Sequence, residues 1–205
     1  IMKILTVADK TIFIPGGLGF VGKNYALYVA KLGYKVIILD DLSNSTMEND
    51  KIINELKIRP NVEIIIDTIL NYELVHNILK RSNIIVYMCC KQVSTSFTNP
   101  MEHIRVNYEG WVNILNYIVN NNLKFDSLCY TSTTCVYGNQ NINLNEESQT
   151  QVLNIYAASK IASEQTSLLY CRNYNLPIVI VRYSNIYGQG QSLNTTELFP
   201  PLFPA

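Results

Sequence analysis

Thr11-Ile12-Phe13-Ile14-Pro15-Gly16-Gly17-Leu18-Gly19-Phe20-Val21-Gly22 decides how the rest of the chain is read. Its first four residues are apolar or β-branched, the composition of a strand buried on both faces in a parallel sheet. Pro15-Gly16-Gly17 breaks the run. From Phe20 to Leu32 a helix is expected, with Val21, Tyr25, Tyr28 and Leu32 at helical spacing and Gly33 where a C-terminal glycine belongs. Gly16, Gly19 and Gly22 fall in the order G-x-x-G-x-x-G between strand and helix. A turn of this kind points backbone N–H groups and the positive end of the helix dipole at an anion. Gly16 permits the tight turn, Gly19 lets the backbone approach a pyrophosphate, and Gly22 lets the helix pack close to the strand. An ordinary strand-to-helix turn can carry the same glycines, so the next strand decides.

Lys35 to Leu39 is a second β-branched run, and it ends at Asp40. An acid at that distance from the glycines accepts hydrogen bonds from the adenosine ribose of a dinucleotide, and it repels a 2′-phosphate. Together the two features predict a dinucleotide site that favours NAD over NADP. Asp41 reads as a solvated loop acid. Further strands are expected at Val62 to Ile66 (ending at Asp67), Ile84 to Met88, Ser127 to Tyr130 and Ile178 to Val181. Helices are expected at Tyr72 to Arg81, from Pro100 onward, and from about Asn154 to Asn173. The second of these carries Ile104, Tyr108, Trp111, Leu115 and Ile118 along one stripe. The alternation predicts an α/β fold, a doubly wound, mostly parallel sheet of Rossmann type, with ligands at the strands' carboxyl ends. Asn139 to Gln151 reads as polar loop.

Composition agrees. The 205 residues suffice for one α/β domain with a sizeable core. Sixteen basic and 16 acidic residues balance, which argues against nucleic acid or an anionic membrane as partner. No apolar run is long enough to span a bilayer, and no signal peptide is evident. Five cysteines without a C-x-x-C pattern suggest reduced thiols, so a cytoplasmic setting is expected. Cys89, Cys90, Cys129, Cys135 and Cys171 read as small buried side chains. His76 and His103 have no metal-ligand spacing around them; both read as surface helix residues, and no metal site is predicted.

Two segments after the fifth strand can carry chemistry. Thr131-Ser132-Thr133-Thr134 follows that strand at its ligand-facing end. Tyr156 and Lys160 stand four apart on the last long helix, so they share a face. A phenol titrates near pH 10, too high for a base at neutral pH. A nearby ammonium and an oxidised nicotinamide favour the phenolate. Tyr156 is then able to remove a hydroxyl proton while a hydride leaves the same carbon. The Thr133 hydroxyl is placed to hydrogen-bond the reacting oxygen.

At this point the chain resembles the extended short-chain dehydrogenase/reductases. Pro15 to Gly22 is similar to their T-G-G-x-G-F-x-G turn, and Leu39-Asp40-Asp41-Leu42-Ser43 to L-D-N-L-S. Thr131 to Gly138 resembles S-S-S-A-T-V-Y-G of nucleotide-sugar epimerases. Tyr156-Ala157-Ala158-Ser159-Lys160 matches Y-x-x-S-K, and Arg182 to Gly190 resembles R-Y-F-N-V-Y-G-P-G. The nearest subgroup is the NAD-dependent UDP-sugar 4-epimerases. The resemblance implies catalytic roles for Thr133, Tyr156 and Lys160, with Lys160 also holding the nicotinamide ribose. It implies that Phe20 and Val21 meet the pyrophosphate, that Asp40 holds the adenosine ribose, and that Asp67 lies by the adenine. Asn107 matches the asparagine of N-x-x-G, Tyr183 falls near the nicotinamide, and Asn185 falls near the sugar-nucleotide phosphates. Cys89 and Cys90 stand where the family shows small residues against the cofactor.

Some positions depart from the pattern. Pro15 replaces a threonine and removes a backbone donor. Ser184 replaces a bulky aromatic. The related 4,6-dehydratases carry an acidic pair directly after the catalytic threonine, where this chain has Thr134 and Cys135. The resemblance also implies a homodimer through the two long helices, with Tyr108, Trp111, Leu115 and Ile118 as its stripe. Residues 1–190 are expected to be the NAD-binding domain, and residues 191–205 the start of a truncated substrate-binding domain. Two classes of function follow: an enzyme acting on a nucleotide sugar, or a non-catalytic NAD-binding or dimerising remnant.

Overall fold

The computed structural model describes residues 7–44, 50–91, 93–140 and 143–191. Strands and helices alternate as β1 (Thr11–Pro15), α1 (Phe20–Lys31), β2 (Lys35–Asp40), α2 (Lys51–Lys57), β3 (Val62–Ile66), α3 (Tyr72–Leu79) and β4 (Ile84–Tyr87). A helical stretch follows in three pieces: α4 (Pro100–His103), a π-helical segment (Ile104–Glu109) and α5 (Gly110–Asn120). Then come β5 (Ser127–Thr133), a short 3-10 turn (Thr134–Tyr137), α6 (Ile155–Tyr174) and β6 (Ile178–Tyr183). The six strands form one parallel sheet in the order β3-β2-β1-β4-β5-β6. The chain builds outward from β1 to β3, then returns to the other side of β1 to lay down β4. Open α/β sheets bind ligands in the crevice at such a reversal, and the glycine turn after β1 opens onto it.

Strand alternation splits the core in two. Phe13, Leu39, Tyr87, Leu128 and Tyr130 pack with α3 and α5 on one face. Ile12, Ile14, Val36 and Ile38 pack with Ala26 and Val29 of α1 and with Ile53 and Leu56 of α2 on the other. The expected doubly wound sheet is therefore present, with strand ends shifted by up to three residues. Pro15 closes β1 instead of interrupting it, and its carbonyl accepts the Met88 N–H at 2.9 Å. α2 has no counterpart in the sequence reading. It is short, its N-cap Asp50 accepts from the N–H groups of Ile52 and Ile53, and it buries Ile52, Ile53 and Leu56.

Several expectations change. The stripe offered as a dimer seam is largely core: Trp111, Leu115 and Ile118 are at most 1% exposed. These side chains fill the sheet face of this same chain, so they present nothing to a second copy. His103 is fully buried, not a surface residue, and its ring meets that of Tyr156 edge-on. Cys135 is exposed, because it lies on the short turn after β5 and not inside a strand; the other four cysteines are partly covered, and all five are free. Among the described residues no helix is long and apolar enough to cross a membrane. Of the expected second-domain segment only Gln191 falls within the described residues.

Candidate active site

A cavity of about 490 Å³ opens at the carboxyl ends of β1, β2, β4 and β5. The glycine turn forms its floor. Gly16 has φ +76°, and a Cβ there would lie 2.6 Å from backbone atoms of Met88 and Cys89. Only glycine lets the turn pass that close to the end of β4. A Cβ on Gly22 would lie 2.5 Å from the Gly16 carbonyl oxygen, which is the close helix-to-turn packing expected of the third glycine. Gly19 is the N-cap of α1 and supplies no side-chain cap. The first turn of the helix, Phe20, Val21 and Gly22, lines the cavity with its N–H end toward it. That cradle fits a pyrophosphate.

Asp40 ends β2 and is 7% exposed. One carboxylate oxygen accepts the Leu18 N–H and the other the Leu42 N–H, each at 2.9 Å. The residue therefore braces the glycine turn as well as lining the cavity. Asp67 lines the same end and accepts from the Thr68 N–H at 2.7 Å and from Asn71 at 2.8 Å. Cys89 and Cys90 form the opposite wall. Burial, with Asp40 nearby, pushes the Cys89 thiol well above its ordinary pKa, so it stands there as a neutral, small group.

The other end of the cavity is built from β5 and α6. Thr133 ends β5, and its hydroxyl accepts the Cys135 N–H at 3.1 Å. Asn154 caps α6 by accepting the Ala157 N–H at 2.8 Å, which fixes the first turn that carries Tyr156. Lys160 is 1% exposed, donates to the Thr131 carbonyl at 2.8 Å, and holds its ammonium 5.9 Å from the centre of the Tyr156 ring. Burial lowers the Lys160 pKa. Burial also raises that of Tyr156, helped by Cys90 and Cys135, against a hydrogen bond with Thr133 that pulls the other way. The sequence suggests a phenol made more acidic by an ammonium and an oxidised nicotinamide together; in the protein itself burial moves its pKa the other way. Tyr183 and Asn185 complete this end, one closing β6 and the other just beyond it. The segment after β6 crosses back over α1, where Lys23 donates to the Gly190 carbonyl at 2.8 Å and Asn24 to that of Gln189 at 3.0 Å.

Every residue given a catalytic or binding role from the sequence lines this cavity except Asn107. Asn107 is fully buried behind the wall, where its side chain accepts the Lys91 N–H at 3.0 Å and donates to Ser159 Oγ at 3.0 Å. Its carbonyl accepts from Tyr130 at 2.9 Å and from Ser163 at 3.0 Å. It sits in the π-helical segment, where the regular hydrogen-bond ladder is broken. Sequence reasoning missed Glu164, buried one turn beyond Lys160, and its partners Ser132 and Arg182.

The profile of the NAD dependent epimerase/dehydratase family matches residues 12–203. The chain belongs to that family. Among relatives of the NAD dependent epimerase/dehydratase member described here is a dTDP-D-glucose 4,6-dehydratase of Dictyostelium discoideum, 32% identical, matching 89% of this chain and 45% of that protein. A UDP-N-acetylglucosamine 4-epimerase from Methanobrevibacter ruminantium, solved with UDP-N-acetylmuramic acid, superposes with TM-score 0.82 at 28% identity, covering 92% of this chain and 59% of that one. A UDP-glucuronic acid 4-epimerase from Bacillus cereus, solved with UDP-glucuronic acid and NAD, superposes with TM-score 0.80, covering 87% and 57%. At its 24% identity that last likeness is one of fold. This family member spans about half the length of the relatives it matches.

Proposed function

We propose that the protein is the NAD-binding and catalytic portion of a nucleotide-sugar 4-epimerase acting on a UDP-hexose or UDP-hexosaminide. The observation that carries this reading is the joining, in one cavity, of the glycine cradle and Asp40 with Thr133, Tyr156 and Lys160. Gly16, Gly19, Phe20 and Val21 would hold the pyrophosphate, Asp40 the adenosine ribose, and Lys160 the nicotinamide ribose. When bound, NAD supplies the acceptor and donor of a hydride. Tyr156 takes the proton of the sugar C4 hydroxyl as that carbon becomes a ketone, and returns it when the carbon is reduced on its other face. Thr133 hydrogen-bonds the reacting oxygen. Lys160 adds positive charge beside the phenol, and the oxidised cofactor's own charge would offset the burial that otherwise keeps Tyr156 protonated.

The cavity also supports epimerase over dehydratase. Eliminating water from a sugar requires one group to take a carbon-bound proton and another to protonate the leaving hydroxyl. Among the described lining residues the carboxylates are Asp40, Asp41 and Asp67, all grouped around the ends of β2 and β3. Beside Thr133 stand Thr134 and the thiol of Cys135. The UDP-sugar bound by the Methanobrevibacter ruminantium epimerase supports the substrate class.

The test is Tyr156→Phe in the intact protein, assayed by interconversion of UDP-hexoses and of UDP-hexosaminides. Turnover is expected to fall at least about a hundredfold, the scale of a lost general base, with NAD affinity and melting temperature kept. A variant that turns over at the wild-type rate would overturn the mechanism.

A further inference from the structure

Behind the reacting end lies a buried polar cluster that none of the proposed chemistry uses. Glu164 is 2% exposed. One of its carboxylate oxygens accepts from Ser132 Oγ and from Arg182 Nε, the latter at 3.0 Å. The other accepts from Arg182 Nη2 at 2.7 Å. Arg182 turns its remaining nitrogen to the Tyr137 hydroxyl at 2.7 Å and the Glu146 carbonyl at 3.1 Å, and its guanidinium lies 4.9 Å from the centre of the Tyr137 ring. Five segments thus meet on one ion pair: α6, the end of β5, the 3-10 turn that follows it, the loop before α6, and the end of β6.

Three members, Ser132, Arg182 and Glu164, are placed beside residues of the reacting end. Ser132 precedes Thr133 and Arg182 precedes Tyr183, and the two pairs stand opposite each other in the β5–β6 register. Strand alternation sends Ser132 and Arg182 to the α6 side of the sheet, and Thr133 and Tyr183 to the other. Glu164 is one helical turn beyond Lys160 and two beyond Tyr156, on the same face of α6. A charged fork has direction as well as strength, so it fixes both the rotation of α6 and its position along its own axis.

We propose that Glu164 and Arg182 are positioning residues for the reaction, locking α6 to β5 and β6 so that the Tyr156 and Thr133 hydroxyls face the same atom. This rests on the epimerase reading. A displacement of about 1 Å at a reacting group costs on the order of a hundredfold in rate. The clamp acts through placement and touches neither cofactor nor substrate.

Removing one partner strands a buried charge and can unfold the protein. The informative variant therefore removes both, Glu164→Met with Arg182→Met, beside the single change Arg182→Lys, which keeps the charge and loses the fork. In the intact protein the double variant is expected to melt cooperatively and to bind NAD within about threefold of wild type. Its kcat is expected to fall at least thirtyfold with KM changed less than threefold, and Arg182→Lys is expected not to restore kcat. Hydrogen exchange followed by mass spectrometry supplies an arm that needs no turnover: amides of residues 156–163 are expected to exchange at least tenfold faster in the double variant. Normal kcat in a folded double variant, with Tyr156→Phe inactive, overturns the clamp and leaves the epimerase reading standing. A wild-type protein that turns over no nucleotide sugar overturns that reading, and the exchange arm then decides the clamp: unchanged protection refutes it.

Discussion

Replacing Gly19 by alanine separates a glycine kept for a ligand from one kept for the fold. Gly19 has φ −61° and ψ 168°, angles that any L-residue adopts. A Cβ there meets only the Gly16 carbonyl oxygen, at an ordinary 3.4 Å. The folded protein therefore has room for the methyl. Reduced freedom of the unfolded chain, opposed by alanine's poorer capping of α1, predicts a stability change within about 1 kcal/mol of zero. Gly22→Ala is the contrast, since its Cβ would lie 2.5 Å from the Gly16 oxygen and 2.8 Å from Gly17 Cα. Forcing α1 away from the turn costs about 1–3 kcal/mol, as overpacking does. In a chain of this size that lowers the melting temperature by roughly 2–12 °C. For NAD the roles reverse. The Gly19 methyl enters the space proposed for the pyrophosphate and displaces it from the Phe20 and Val21 N–H groups. One lost charge-assisted hydrogen bond is about 1.5–3 kcal/mol, so Kd should rise roughly 10- to 150-fold. Thermal melts without NAD, beside calorimetric titration with it, read both quantities. A Gly19→Ala protein that binds NAD as tightly as wild type would refute the pyrophosphate assignment. One that melts far below wild type would refute the steric reasoning.

Two further outcomes are expected. Asp40→Asn should narrow the preference for NAD over NADP at least tenfold, measured by parallel titrations, and an unchanged preference would remove Asp40 from the ribose site. It should also lower the melting temperature, because one amide oxygen replaces two acceptors for Leu18 and Leu42. Burial depresses the His103 pKa. As pH falls through about 6.5 the unfolded chain takes up that proton before the folded one, so stability drops there. The carboxylate of Asp50, held low by Lys23 and the α2 N–H groups despite burial, and that of Glu63, held low by Arg81, give up their stability only near pH 4 and below. His103→Phe should therefore flatten the melting temperature between pH 7 and 5, and parallel curves for wild type and variant would exclude the histidine as the source.

The strands were legible because most are short apolar runs punctuated by glycine, proline or an acid, and the glycine turn fixed where the crevice would open. The glycines, Asp40 and Thr133 followed from the same logic, since strand ends and the turns after them carry such residues, whereas Asp67, Tyr183 and Asn185 came from the resemblance to the family. What escaped has physical causes. α2 is about two turns with three buried residues, too short for a periodic signal. α6 buries Ser159, Ser163 and Ser167 in place of an apolar stripe, so its packing face looks like a surface. Those hydroxyls are satisfied: Ser159 donates to the Tyr156 carbonyl, Ser163 to the carbonyls of Ser159 and Asn107, and Ser167 to that of Ser163 while accepting from Trp111 Nε1. The Trp111 stripe reads equally well as core or as a seam between copies, because periodicity reports that a face is covered and not by what. His103 was misplaced because a polar residue on a short helix is ordinarily solvated. Glu164 was detectable, four residues past Lys160, but an isolated acid on a helix carries no signal until the strands supply Ser132 and Arg182.

The sheet order has a mechanical consequence. β1, β2 and β3 come from residues 11–66, and β4, β5 and β6 from residues 84–183. The two halves are sewn together in the sheet where β1 meets β4, over Ile12 with Ile84 and Phe13 with Ile85, whereas β1 and β2 pair along the whole of β1. A dinucleotide lying from the glycine turn to Tyr156 would rest on both sides of that seam. It would behave as a removable rivet. At a hundred times its Kd such a ligand adds about 2.7 kcal/mol to the stability of whatever it spans. A cofactor that is regenerated in place, and so never has to leave, would then double as a permanent fastening between the two halves of the chain.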